Sequence, residues 1–96
     1  AVRAEPVPPL RQHAALAALE GSTRLRWRRG LRARVLEDGD AVEVRSPEAT
    51  VRLPAAAAPA LRRLLAGASV TAHDLDPELD AAATLLRQAL AVPAGP

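Results

Sequence analysis

The sequence contains no cysteine, methionine, phenylalanine, tyrosine, lysine, isoleucine or asparagine, and it has a single tryptophan. Without cysteine, a disulfide framework, a zinc-thiolate centre and thiol catalysis are excluded. The missing residue types mostly have A/T-rich codons, so the bias indicates a genome of high GC content rather than a structural demand. No apolar run approaches the roughly 20 residues that a membrane-spanning helix needs. These absences predict a cytoplasmic protein without membrane contact.

The apolar residues are mostly small. Of the 47 apolar residues, 23 are alanine, 15 leucine and 8 valine. A chain of 96 residues suits one domain with one core, and an alanine methyl group buries far less area than a leucine side chain. We therefore expect modest stability for the isolated chain, or support from a neighbouring domain. The missing initiator methionine suggests a piece of a longer protein.

The order of predicted elements indicates a single α+β domain. Residues 1–8 are proline-rich and are predicted to be a linker, residues 9–92 a single domain, and residues 93–96 a flexible tail. The predicted fold is winged-helix-like, with a three-stranded antiparallel meander packed on three helices and an extra N-terminal helix. The helices are expected at about 9–20, 56–66, 72–75 and 77–92, and the strands at about 31–35, 41–45 and 49–53.

Local signals define these elements. Alternating residues such as Val42 and Val44 indicate half-buried strands, and Gly39 suits a hairpin turn. Thr71 and Asp74 have the spacing of a capping box. Asp76 is expected to cap the last helix, with Pro77 at its first position. The main core is predicted to consist of Leu61, Leu65, Leu79, Leu86, Leu90, Val42, Val44, Val51 and Leu53.

The positive charge is concentrated in the first third of the chain. Residues 1–34 contain 8 arginines and 2 acids, a net charge of +6, whereas residues 35–96 contain 5 arginines and 9 acids, a net charge of −4. Such asymmetry can reflect a polar partner surface or neutralisation within the fold. The densest stretch, "TRLRWRRGLRAR" at 23–34, raises the question of whether it binds a partner or is only a solvated strand face.

Alternation within this stretch predicts that Leu25 and Trp27 point inward, followed by Leu31, Ala33 and Val35 after a break near Gly30. The arginines would then form an outward ladder, partly paired with the acids at 37–43. This ladder is the candidate anion or partner contact, either a weak, non-specific nucleic-acid surface or a contact with an acidic protein face. Its residues are Arg24, Arg26, Arg28, Arg32 and Arg34.

Catalytic and metal-binding arrangements are not predicted. A metal site built from two histidines and a carboxylate needs convergent ligands, and His13 and His73 fall on different predicted elements. The serines lie at turns or caps, with no histidine at a nucleophile's spacing. The glycines are scattered, so no phosphate-binding loop is expected. The chain itself is predicted to be no enzyme, to bind no metal and to hold no cofactor.

Residues 24–92 resemble the C-terminal winged-helix module of actinobacterial JmjC-type cupin proteins, iron(II) and 2-oxoglutarate oxygenases related to the ribosomal-protein hydroxylases. The resemblance covers about three quarters of the chain and rests mainly on turns, caps and core leucines. The matching residues are Arg29-Gly30-Leu31, the strand pair around Asp38-Gly39-Asp40, Leu53-Pro54-Ala55-Ala56, Leu61, Leu65, Gly67 and Asp74-Leu75.

The resemblance implies an accessory role. In that family the iron ligands and the 2-oxoglutarate pocket lie in an upstream cupin barrel, so iron(II) and 2-oxoglutarate are expected only there. The module would complete the structure of the enzyme, assist dimerisation or help to dock a protein or peptide substrate. Its expected partners are the upstream cupin domain and that substrate.

Two alternatives remain open. The passage 53–67 also resembles PqqD-like peptide-recognition domains, which bind a leader peptide as an added strand. That resemblance implies a peptide-binding edge formed by Thr50, Val51, Arg52 and Leu53, although the helix at 9–20 departs from the PqqD-like pattern. A nucleic-acid-binding winged helix is the second alternative. It fits less well, since Glu78 and Asp80 at the start of the last helix would repel phosphates.

Overall fold

The computed structural model describes residues 4–94 as a small α+β domain with four helices and two three-stranded antiparallel sheets. None of the helices in this range is long and apolar enough to cross a membrane. In chain order the elements are α1 (Pro9–Ala17), β1 (Arg24–Trp27), β2 (Arg34–Asp38), β3 (Ala41–Arg45), β4 (Thr50–Pro54), α2 (Ala58–Leu65, preceded by a 3-10 turn at Ala55–Ala57), β5 (Val70–Thr71), α3 (Ala72–Leu75), α4 (Asp80–Arg87) and β6 (Ala91–Pro93).

The predicted meander is present as the sheet β2-β3-β4. Val35 lies opposite Val44 and Val42 opposite Leu53, so their side chains lie on the same face, where Val42, Val44 and Leu53 are buried. Gly39 has a φ of 63° in the two-residue hairpin between β2 and β3. The expected alternation and hairpin are therefore confirmed, with β2 and β4 shifted toward the C-terminus relative to the prediction.

The second sheet, with strand order β5-β1-β6, was not predicted. In β1, Leu25 lies opposite Val70 of β5 and Pro93 of β6, and Trp27 lies opposite Ala91. Residues 91–93, expected as the end of a helix and the start of a tail, form a strand instead. The sheet therefore joins segments that lie far apart in the sequence. Short segments of this kind gain their strand character from pairing rather than from local sequence.

Helices α2 and α3 follow their sequence signals closely. The Thr71 hydroxyl accepts a hydrogen bond from the Asp74 amide at 3.2 Å, while the Asp74 carboxylate accepts one from the Thr71 amide at 3.2 Å. These bonds form the predicted capping box and hold the pKa of Asp74 below its usual range. Helix α2 ends in a Schellman motif at Gly67, whose φ is 100°, with the Ala68 amide bonded to the Arg63 carbonyl.

The start of α4 differs from the prediction. Asp76 does not cap a helix beginning at Pro77, because residues 76–79 form a separate turn in which the Leu79 amide bonds to the Asp76 carbonyl. The Asp76 carboxylate accepts hydrogen bonds from the amides of Glu78 and Ala81 at 3.0 and 3.4 Å. Leu79 adopts a φ of 66°, and α4 begins at the next residue, Asp80.

The core lies between the two sheets and α2, α3 and α4. Most of the predicted core residues are buried, but Leu65 and Leu79 are only half-buried. Leu25 and Trp27 point inward as expected, and Leu31 is also buried, whereas Ala33 and Val35 are half-buried. Large buried side chains outside the predicted main core are Leu25, Leu64, Val70, Leu75 and Leu85.

The N-terminal helix is confirmed but is shorter than predicted, since it ends at Ala17 rather than near residue 20. It packs against α4, and its one buried polar residue is Gln12. The described part of the expected linker, residues 4–8, has no regular secondary structure, but Glu5 bonds to the loop that follows β1. This segment is thus attached to the domain rather than free of it.

Candidate functional site

The arginine-rich stretch is divided between two sheets. Its first half is β1, the loop at 28–33 turns at Gly30 with a φ of 76°, and Arg34 begins β2. The Trp27 indole N–H donates to the Leu31 carbonyl at 2.8 Å, which fixes the turn against the core. The predicted break near Gly30 is present. Because β1 and β2 belong to different sheets, however, the arginines do not form one continuous ladder.

Glu5 binds to the arginines in the first part of this stretch. Its two carboxylate oxygens accept hydrogen bonds from Nη1 and Nη2 of Arg26, both at 2.8 Å. The Glu5 amide donates to the Arg29 carbonyl at 2.7 Å, and the Arg28 guanidinium donates to the Glu5 carbonyl. A bidentate pair of this kind is stronger and more directional than an ordinary exposed ion pair. The surface thus already binds one carboxylate, which belongs to the chain itself.

The hydrogen bonds from Arg26 lower the pKa of Glu5 from 4.5 to about 2, against the opposing effect of desolvation. The same pair raises the pKa of Arg26. Since the Glu5 pKa is lower in the folded state, the stabilisation is present above pH 4.5 and is lost as the pH falls toward 2. The attachment of the N-terminal segment is therefore acid-sensitive.

Glu5→Gln is expected to lower the free energy of unfolding by about 1 kcal/mol near neutral pH, because it removes the charge of a half-buried pair that solvent still partly screens. The difference in thermal midpoint from the unchanged protein should shrink between pH 4.5 and about 2. Glu78→Gln is the matched control, since Glu78 is exposed and makes no ion pair within residues 4–94. A pH-independent difference for Glu5→Gln would contradict the proposed role of its charge.

The acids at 37–43 do not pair with the predicted ladder. Asp38 and Glu43 approach Arg52 at 3.4 and 3.6 Å, and Glu43 also pairs with Arg45. Glu37 binds Arg62 at 2.7 Å. The acids that meet the stretch are Glu5 and Glu48, the latter 3.4 Å from Arg28, so the expected pairing was wrong.

The five candidate arginines fall into two groups. Arg24 is exposed and donates to the Ser69 hydroxyl at 2.6 Å, while Arg26 and Arg28 are half-buried against Glu5. Arg32 and Arg34 are exposed and make no ion pair within the described residues. Only the second group is available to an external anion without displacing a contact of the fold.

Arg32 and Arg34 border an open depression of about 650 Å³. It lies between the loop at 28–33, the end of α2 and the turn after β3. The lining residues are Trp27, Leu31, Arg32, Ala33, Arg34, Arg45, Ser46, Pro47 and Leu65. We call this depression the arginine groove. Arg45 was not among the predicted contact arginines. It joins Arg32 and Arg34 at the groove because it lies opposite Arg34 in the pairing of β2 with β3.

The candidate peptide edge lies on β4, an edge strand that pairs only with β3 and contacts α4. Thr50 and Arg52 are exposed, whereas Val51 and Leu53 are buried in the core. Two of the four residues could therefore meet a peptide through their side chains. The arginine groove is formed by other segments and does not include this edge.

The remaining chemical candidates do not converge. His13 lies exposed on α1 and His73 exposed on α3, and among residues 4–94 no three His, Asp or Glu side chains are grouped as metal ligands. Helix α4 begins with the exposed acid Asp80, and α1 packs against it. A helix covered in this way and acidic at its start is unsuited to entering a DNA groove.

Gln12 is a buried polar residue that the sequence did not identify. Its amide nitrogen donates to the carbonyls of Leu86 and Ala91 at 2.8 and 3.1 Å, which ties α1 to the turn between α4 and β6. Its Oε1 is buried and has no hydrogen-bond partner among residues 4–94. The only sequence signal was its helical spacing from Leu16, which places both on one face of α1.

Comparisons with family models, curated proteins and solved structures find no match to this chain.

Proposed function

We propose that this chain is a non-catalytic, winged-helix-like accessory module of a cytoplasmic iron(II)- and 2-oxoglutarate-dependent JmjC cupin-type protein hydroxylase. It would support the structure of that enzyme, its dimerisation or the docking of its substrate. Iron(II) and 2-oxoglutarate would be bound by the upstream cupin domain. The observation that carries the proposal is the arrangement of the sheet β5-β1-β6 around the helices α3 and α4.

The strand order β5-β1-β6 supports a winged-helix-like assignment. In a winged helix, the strand before the helix-turn-helix and the strand after it lie at the two edges of one small sheet. Here β5 precedes α3 and α4, β6 follows them, and β1 supplies the central strand from earlier in the chain. Residues on which the resemblance rests lie where one element ends and the next begins, for example Pro54 before the 3-10 turn and Gly67 after α2.

The proposal predicts that the isolated chain neither binds iron(II) in a stoichiometric complex nor turns over 2-oxoglutarate. His13 and His73 lie on different helices and share no carboxylate cluster within residues 4–94, whereas an iron site of this class needs two histidines and a carboxylate on one face of the metal. Calorimetric titration with iron(II) and a 2-oxoglutarate consumption assay measure both expectations. Tight one-to-one binding that is lost in His73→Ala would contradict them.

The genetic context tests the assignment to an oxygenase. We expect the reading frame upstream of the codon for Ala1 to encode a barrel with an His-x-Asp…His ligand pattern. A start codon at this point, next to a gene for a peptide-modifying enzyme, would instead favour the PqqD-like alternative. The position of β4 as an edge strand beside α4 is the observation in favour of that alternative.

The nucleic-acid alternative is restricted to weak, non-specific binding at the exposed arginines. A single tryptophan that is mostly buried offers no platform for stacking successive bases. Arg26→Glu and Arg28→Glu are poor tests of this alternative, because both residues hold Glu5. The pair Arg32 and Arg34 is the appropriate target.

A further inference from the structure

The arginine groove combines an apolar floor with a cationic rim. Trp27 and Leu31 are buried beneath it, and Leu65 at the end of α2 is half-buried beside them. Arg32, Arg34 and Arg45 are exposed around it, and no carboxylate from residues 4–94 lines it. This part of the surface therefore differs from the neighbouring area around Glu5, where the arginines are already neutralised.

Strand pairing concentrates positive charge at the rim. Arg34 lies directly opposite Arg45 in the β2-β3 pair, and like charges at opposed positions destabilise a sheet. Glu43 pairs with Arg45, but Arg34 and Arg32 have no carboxylate partner within residues 4–94. A bound anion would relieve this repulsion, so the groove is complementary to negative charge.

We infer that the arginine groove binds an acidic segment of a partner polypeptide, with its carboxylates on Arg32 and Arg34 and an aliphatic side chain on Leu31 and Leu65. This inference is independent of the proposed function, since it concerns the chemistry of the partner whichever protein the chain belongs to.

The shape of the groove favours a polypeptide over a small molecule. Sites for small molecules bury most of the ligand surface, whereas Trp27 and Leu31 are the only buried residues that line this depression. Its floor is mainly aliphatic and exposes little of Trp27, which suits a leucine or valine side chain better than a stacked base. Glu5 on Arg26 shows within the same chain how a backbone segment can present a carboxylate to this stretch.

The test uses a short fluorescein-labelled peptide composed of aspartate, glutamate and leucine, with fluorescence anisotropy as the binding signal. Arg32→Glu combined with Arg34→Glu is expected to weaken binding by about tenfold or more. A peptide with asparagine and glutamine in place of the acids, and one with serine in place of leucine, should both bind more weakly.

The matched control is Arg11→Glu combined with Arg87→Glu. Both residues are exposed, make no ion pair within the described part of the chain and lie outside the groove, so the change in net charge is identical. This variant should retain most of the affinity. Equal weakening by both double variants would overturn the inference in favour of non-specific charge attraction.

Two further outcomes would reject the assigned partner or location. If an oligouridine binds more tightly than the acidic peptide at physiological salt, and depends on Arg32 and Arg34, the partner is a nucleic acid rather than a polypeptide. If Arg52→Glu abolishes peptide binding while the groove variant does not, the peptide lies along β4. Circular dichroism of each variant checks that the fold is intact.

Discussion

Leu86→Ala is expected to lower the free energy of unfolding by about 2–5 kcal/mol, as is typical of a leucine truncated in a packed core. Leu86 is 0% exposed and lies on α4, between the rest of the core and α1. Small domains are marginally stable. Because most of the other apolar side chains are small, the rest of the core buries too little area to offset the loss of the Leu86 side chain. The Leu86→Ala variant should therefore be largely unfolded or aggregated before heat or urea is applied, and thermal and urea denaturation measure this.

Leu10→Ala is the matched control for that variant. Leu10 is a leucine on α1 with 84% of its surface exposed, so the same truncation removes almost no buried area. The free energy of unfolding of Leu10→Ala should remain within about 0.5 kcal/mol of that of the unchanged protein. If Leu86→Ala unfolds no more readily than Leu10→Ala, the placement of the inner face of α4 is wrong.

Gln12→Leu is expected to destabilise the domain by about 1–2 kcal/mol, although leucine is apolar and of similar size. The change removes two buried hydrogen bonds, each of which contributes about 1 kcal/mol, from the carbonyls of Leu86 and Ala91. It also removes the buried Oε1, which has no hydrogen-bond partner in the described part of the chain, and this offsets part of the loss. Denaturant unfolding monitored by Trp27 fluorescence measures the effect.

Gln88→Leu provides the comparison, because Gln88 is exposed at the end of α4 and its side chain makes no hydrogen bond within residues 4–94. Its effect should fall within about 0.5 kcal/mol. Amide hydrogen exchange should also be faster in β6 for Gln12→Leu, since Gln12 ties α1 to Ala91. Stability equal to that of the unchanged protein would show that α1 packs on α4 without this pair of bonds.

The two Schellman motifs show why some helix ends could be predicted and others could not. After α2, the left-handed position is occupied by Gly67, which adopts a positive φ without strain and is therefore a recognisable signal. After α4, the same pattern of bonds joins the Leu90 amide to the Leu85 carbonyl, but the left-handed residue is Ala89, with a φ of 58°. Alanine carries no such signal, so the expected helix continued to residue 92.

The candidate site was predicted in part. Alternation correctly placed Leu25 and Trp27 inside and Arg32 and Arg34 outside. The sequence did not indicate Glu5 as the partner of Arg26, because these residues are 21 positions apart and the segment of Glu5 resembles a linker.

The sequence by itself determined the elements that depend on neighbours in the chain: the meander around Gly39, the capping box of Thr71 and Asp74, and the end of α2 at Gly67. Their hydrogen bonds and apolar alternation close within a few residues, so local patterns suffice. The tertiary structure alone decided the pairing of β1 with β5 and β6 and the hydrogen bonds of Gln12. These contacts join distant segments whose pairing follows from burying a shared core, and no local propensity encodes them.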